Sequence, residues 1–406
     1  MSYKTSIKNV AIDLDISDEK AVTLIIDLIN EVGSHHFTRR TLEDRFSDIE
    51  ISSFLNNFQT IIDEQISYEC LIEGEQEITK NTNDMCEFCN SNIVGNSDHE
   101  TEDLYILSDY ELLKKWLKEY EKKQYFILQY QENLDELLSS KNNIIPFVGS
   151  GLSIPFGIPD WGGLLEEINP TFEKTFQEEQ FLDHLSNGEF MEALDLVKQK
   201  SLNIGNEKQL QKKIVSILTQ KESQFVNKDS HNYLDLLKLN SNFYITTNYD
   251  LILSKLISEY QKYTYPLTFN EMDDSYSIHI NHNQVLHLHG HIKKENEMVV
   301  SKESYEKFYK EIKNTTKLAS LIGSKKLLFI GFSFNDAFFE DLYNQLNDVI
   351  GNDHFIIVAN PKPKTVRKFL EKSLRVIGLN VKVNSEGRYD SLDYVKALRL
   401  LLEYLE

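Results

Sequence analysis

Residues 144–164, IIPFVGSGLSIPFGIPDWGGL, decide how the larger part of this chain folds. Ile144–Val148 is a short, continuously apolar run, the pattern of a strand buried on both faces of a parallel sheet. Gly149-Ser150-Gly151 ends the run, and three more glycines and two prolines follow by Gly163. Glycine at a strand-to-helix turn allows a sharp bend and lets another group approach the backbone closely. Something is expected to lie against this turn.

Working outward, similar runs recur at Phe243–Thr246, Val285–His287, Leu327–Ile330 and Phe355–Ala359, with helical stretches between them. That alternation predicts βαβ units and a mostly parallel α/β sheet over residues 141–406. The first two runs are separated by stretches such as FEKTFQEEQFLDHL and QLQKKIVSILTQK. These are too long for one crossover and predict a helical insert at about 170–240. Ligands of open parallel sheets bind outside the C-terminal strand ends, and polar residues gather at those ends here. YITTNYDLIL brings Thr246, Thr247, Asn248 and Asp250; VLHLHGHI brings His287, His289 and His291; LLFIGFSFND brings Gly331, Ser333 and Asp336. Asn248 and Asp250 also fit as caps of the helix that follows.

The first 105 residues read as a small helical domain. Val22, Ile25, Ile26, Ile29 and Val32 repeat at helical spacing behind Ser17-Asp18-Glu19, a short helix is expected after Thr38, and a third stripe runs from Ile51 to Ile62. ISYECLIEG then alternates as a strand does, giving a winged-helix-like order. The polar segment 80–103 reads as a loop, and Ser108-Asp109-Tyr110-Glu111 as the capping box of a connecting amphipathic helix within 106–140. Cys86-Glu-Phe-Cys89 is half of a zinc knuckle; Cys70 and His99 are the convenient further ligands for a structural zinc.

Composition bounds the function. Net charge is −21, and the presumed recognition helix lacks Lys and Arg, so direct nucleic-acid contact is not expected. Three cysteines, no membrane-length apolar run and no signal-peptide core lead us to expect a cytoplasmic protein without a disulfide framework.

Taken in order, Gly149-Ser150-Gly151-Leu152-Ser153, Gly157-Ile-Pro-Asp160, Thr247-Asn-Tyr-Asp250, His289-Gly290 and Gly331-Phe-Ser333 resemble the motif series of sirtuins. The Thr-Thr-Asn-Tyr-Asp and Leu-His-Gly forms are similar to the bacterial sirtuin-like NAD hydrolases of antiphage defence. The resemblance covers roughly residues 140–385 and implies a Rossmann-like NAD⁺ site. It places Gly149, Ser150, Gly151, Ser153, Thr247, Gly331 and Ser333 around the dinucleotide, Asp160 at the nicotinamide pocket and Asn360 on the adenosine side. It implies that Asn248 orients the ribose or a water, that Asp250 faces the carboxamide, and that His289, titrating near neutrality, is the general base. NAD⁺ is then the substrate, cleaved to nicotinamide and ADP-ribose without a metal. A homo-oligomer and a protein that senses infection are the implied partners.

The departures are specific. Gly290–Gly331 holds no cysteine, whereas deacylating sirtuins carry a four-cysteine zinc module there, and Trp161-Gly162 stands where an arginine is usual. Both disfavour the alternative of a protein deacylase. A nucleotide-sensing or DNA-associated regulatory module is the other alternative, and the Asn248–His289 pair and the acidity count against it.

Overall fold

The computed structural model describes residues 2–81, 83–222, 226–260, 264–272, 284–332, 343, 353–385 and 387–406. The chain divides into two compact units, Met1–Lys122 and Lys123–Glu406.

The first unit opens with α1 (Tyr3–Asp13), α2 (Asp18–Val32), α3 (Arg39–Glu43) and α4 (Asp48–Asn57). Ser2, Ser17, Thr38 and Ser47 each cap a helix by accepting a backbone N–H, the reason short polar residues precede the apolar stripes. A core of Val10, Val22, Ile25, Ile29, Phe54 and Leu113 joins these helices to α5 (Tyr110–Tyr125). An antiparallel sheet, in the order β2–β1–β3, follows α4; its strands are β1 (Ile62–Cys70), β2 (Glu75–Thr79) and β3 (His99–Leu107). The helix expected to carry Ile51 to Ile62 stops at Asn57, because Ile62 is taken into the sheet opposite Leu107. The loop expected over 80–103 ends earlier for the same reason: His99 already pairs with Cys70.

The second unit is built on a seven-stranded sheet, β10–β9–β8–β4–β5–β7–β6, in which every neighbouring pair is parallel. Its strands are β4 (Ile144–Val148), β5 (Phe243–Thr246), β6 (Tyr265–Thr268), β7 (Gln284–His287), β8 (Lys326–Ile330), β9 (His354–Ala359) and β10 (Leu374–Leu379). β4, β5 and β7 are buried along their whole length, matching their uninterrupted apolar runs. α6 (Gln131–Ser139) precedes β4, and between β4 and β5 lie α7 (Trp161–Ile168), α8 (Thr175–Ser186), α9 (Phe190–Lys200), α10 (Glu207–Lys221) and α11 (Tyr233–Leu236). The sequence runs from β4 to β5 on one side, and from β8 to β9 on the other, so the direction of winding reverses between the adjacent strands β8 and β4. Crevices form at such switch points. Among the described residues, no helix is long and apolar enough to cross a membrane.

Candidate active site

The group lying against the Gly149–Gly151 turn is another backbone turn. Gly149 N–H donates to the Ile330 carbonyl at 2.8 Å and Gly151 N–H to the Gly331 carbonyl at 2.9 Å. A β-carbon on Gly149 would sit 2.5 Å from the Gly331 oxygen, and one on Gly151 2.8 Å from it. Gly331 itself has φ +75°, a left-handed conformation that glycine alone adopts without strain. The three glycines lock the ends of β4 and β8 together at the switch point.

Beside this lock, the ends of four adjacent strands, β8, β4, β5 and β7, surround a cavity of about 340 Å³. Ser150, Asp160, Trp161, Thr247, Asn248, Asp250, His289 and Gly331 line it. Thus Asn248, Asp250 and His289 come together with Ser150, Asp160, Thr247 and Gly331. Gly149, Gly151 and Ser153 stand behind the lining. Ser333 and Asp336 lie outside the described residues. Asn360 does not border the cavity, and its amide is used locally: Nδ2 donates to the Val381 carbonyl at 2.6 Å and Oδ1 accepts from the Val381 N–H at 2.9 Å.

Asn248 is held from three directions. Its Nδ2 faces the Gly149 carbonyl at 3.2 Å, Ser153 Oγ at 3.1 Å and Tyr233 Oη at 3.3 Å. Ser153 Oγ in turn donates to Asp250 Oδ2 at 2.8 Å and lies 2.7 Å from Tyr233 Oη. The amide orientation is thereby fixed, and Asn248 Oδ1 is left buried with no partner among the described residues. Asp250 Oδ1 accepts from the Ile252 N–H at 3.1 Å, so Asp250, and not Asn248, caps α12 (Ile252–Tyr260). Burial raises the Asp250 carboxyl to about 6, with the nearby Glu222 acting in the same direction and the Ser153 hydroxyl opposing.

His289 sits between two tyrosines of α13 (Lys302–Lys310): Nδ1 lies 3.3 Å from Tyr305 Oη, and Nε2 contacts Tyr309 Oη. Burial pushes its imidazole down to about 3, so the near-neutral titration expected of it does not hold and the ring is neutral at physiological pH. Tyr305 borders the cavity as well. His287 is absent from the lining, and its Nδ1 lies 2.9 Å from the Asn248 carbonyl oxygen. Asp160 caps α7 through the Gly163 N–H at 2.9 Å while remaining at the cavity wall.

The sequence reading missed Tyr233, Tyr305 and Tyr309. Tyr305 and Tyr309 are spaced i, i+4, which puts both on one helix face, but a tyrosine stripe of that kind reads equally as core.

Comparison with known proteins agrees with this geometry. Residues 242–377, from β5 into β10, match the SIR2-like domain family. The chain is 27% identical over 217 residues to the NAD(+) hydrolase ThsA of Cytobacillus dafuensis, covering 52% of this chain and 40% of that protein. It is 26% identical over 231 residues to NAD(+) hydrolase ThsA of Bacillus cereus (strain MSX-D12), covering 54% and 43%. For NAD(+) hydrolase ThsA of Enterococcus faecium the identity is 26% over 267 residues, covering 63% and 48%. The chain therefore spans less than half the length of the curated relatives it matches. The region similar to the SIR2-like domain family, residues 242–377, runs through three of the cavity's four strand ends, those of β5, β7 and β8.

Proposed function

We propose that this protein hydrolyses NAD⁺ at the nicotinamide–ribose bond. The observation that carries the reading is the fixed Asn248 amide, whose Oδ1 is buried without a partner among the described residues, in a cavity it shares with His289. A buried acceptor left open costs about 1–3 kcal/mol unless a ligand or water satisfies it. A ribose hydroxyl or an attacking water is such a ligand.

In the reaction, the bond between ribose C1′ and the nicotinamide nitrogen breaks, and its electron pair leaves with nicotinamide, which becomes neutral. A water oxygen bonds to C1′ and releases one proton, giving ADP-ribose. The ribose carbon is oxocarbenium-like at the transition state, so the attacking water is strongly acidified and a weak acceptor suffices. Neutral His289, in contact with Tyr305 at the cavity wall, is that acceptor. Asn248 orients the ribose or the water, and the Ser153–Asp250–Tyr233 cluster holds Asn248 in place. Trp161 and Asp160 bound the nicotinamide side. A cavity of about 340 Å³ lies at the small end of the usual range for ligand sites, which suits the nicotinamide–ribose half of the dinucleotide.

The relatives' designation as NAD(+) hydrolases supports the same reaction. The resemblance to antiphage effectors makes depletion of cytoplasmic NAD⁺ during infection the proposed setting, with restraint supplied by a homo-oligomer or a protein partner. The test is to incubate purified protein with NAD⁺ and an acetylated peptide and to follow nicotinamide, ADP-ribose and peptide separately. Nicotinamide and ADP-ribose without peptide deacylation are expected. Unchanged NAD⁺ would leave a binding module, and deacylated peptide a deacylase.

A further inference from the structure

The first unit contains a second chemical site that the proposed reaction does not use. Cys70, Cys86, Cys89 and His99 each present a donor atom, all within 4.8 Å of one another. Cys70, Cys86 and His99 are buried, and Cys89 is half-buried. Cys70 and His99 are direct cross-strand partners on β1 and β3, so the sheet fixes two of the donors side by side. The other two come from the segment between β2 and β3.

The two turns that carry the cysteines are alike in detail. After Cys70, the backbone N–H groups of Ile72 and Glu73 point at its sulfur; after Cys86, those of Phe88 and Cys89 do the same. Each turn closes four residues on, with Gly74 N–H donating to the Cys70 carbonyl at 2.7 Å and Asn90 N–H to the Cys86 carbonyl at 2.9 Å. Gly74 and Asn90 are both left-handed, at φ 73° and 59°. Two N–H donors aimed at each sulfur would complement a metal-bound thiolate.

Packing leads to the same place. The buried apolar cluster here is Tyr68, Cys70, Cys86 and Ile93, with Cys89 packed on it, and Met85, Phe88 and Val94 are exposed. Such a small cluster cannot order a polar segment of this length, and small folds commonly recruit a metal instead. We propose that Cys70, Cys86, Cys89 and His99 bind one structural zinc ion that pins the segment between β2 and β3 onto the β1–β3 pair. Three thiolates and one imidazole select zinc over harder cations, and four protein ligands close the site against water. Donors bound at about 2.0–2.3 Å in a tetrahedron lie roughly 3.3–3.8 Å apart; His99 Nε2 is 3.3 Å from Cys89 Sγ.

The test is elemental analysis of the full chain purified without chelator. Close to one zinc per chain is expected, falling at least tenfold in Cys86→Ser and in His99→Ala but not in Met85→Ala. Exchange with cobalt(II) should give thiolate-to-cobalt charge-transfer absorption in the unsubstituted chain, so the proposal is decided even if a variant fails to fold. Chelation should speed proteolysis between residues 80 and 98 at least tenfold. Metal-free protein with three titratable thiols, a Cys86–Cys89 disulfide by mass, or zinc retained by both ligand variants would each overturn the proposal.

Discussion

The Nδ1–H of His287 donates to the Asn248 carbonyl oxygen across 2.9 Å, because a carbonyl can only accept. That bond ties the backbone of the proposed ribose-contacting residue to the interior of β7. His287→Ala leaves the carbonyl buried and unpaired, which costs about 1–3 kcal/mol. Chemical denaturation should register that loss, and kcat for NAD⁺ cleavage should fall more than KM rises. Unchanged stability would show that the bond does not hold the loop.

Asn248→Asp separates capping from chemistry. Since Asp250 caps α12, a carboxylate at 248 gains no helix N–H, loses the Nδ2 donor and faces the Gly149 carbonyl at the present 3.2 Å. We expect at least ~10²-fold slower NAD⁺ cleavage, the scale of a lost transition-state hydrogen-bonding residue. Isothermal titration with NAD⁺ distinguishes lost chemistry from lost binding, and near-normal turnover would remove Asn248 from the mechanism.

Stability should fall on acidification from pH 7 to pH 5. His287 and His289, both held down to about 3 by burial, bind protons more readily when unfolded, so each withdraws about 2 kcal/mol by pH 5 at about 1.4 kcal/mol per pH unit. Asp250 acts oppositely. Its folded value of about 6 exceeds the unfolded one, so it opposes folding above that pH and returns about 1 kcal/mol on going from pH 7 to pH 5. The histidines win, for a net loss of about 3 kcal/mol. Urea titrations at the two pH values measure it, and Asp250→Asn should stabilise the fold at pH 8 but not at pH 4.

Gly149→Ala should be among the most damaging single-methyl additions in the chain, because its β-carbon meets the Gly331 carbonyl at 2.5 Å and backbone must move. Overpacking of this kind costs about 1–3 kcal/mol. Gly162→Ala is the control: its β-carbon would be in ordinary contact with the Phe190 ring at 3.5 Å, so the melting temperature should hardly change. Equal melting temperatures for the two variants would mean the turns are not locked.

The central strands were legible because strands buried on both faces carry uninterrupted apolar runs, as in IIPFV and FIIVA. β6 was not: YPLT is four residues long, contains Pro266 and lies at the sheet edge. α1 was missed because it buries only Ser6, Ile7, Val10 and Ala11. At the site, the motifs gave Asn248, Asp250 and His289 as candidates, since they follow strands directly. Tyr233 and Tyr305 reach the site from helices 15 and 16 residues away from Asn248 and His289, and no motif spacing links them to it. The glycines signalled a close approach without saying to what; its answer, the Gly331 carbonyl, lies 180 residues further along from Gly151. The depressed His289 titration was hidden for the same reason, since burial is a property of the packed state.

The pairing of β4 with β8, from Ile144 opposite Lys326 to Val148 opposite Ile330, sets a timetable for biosynthesis. A ribosome adding about 5–20 residues per second needs roughly 9–36 s to travel between those strands. Throughout that interval β4 has one edge without its partner, and the switch-point crevice lacks its second wall. A product truncated before Gly331 consequently exposes an unpaired edge of β4, an aggregation hazard, and lacks the β8 wall of the crevice.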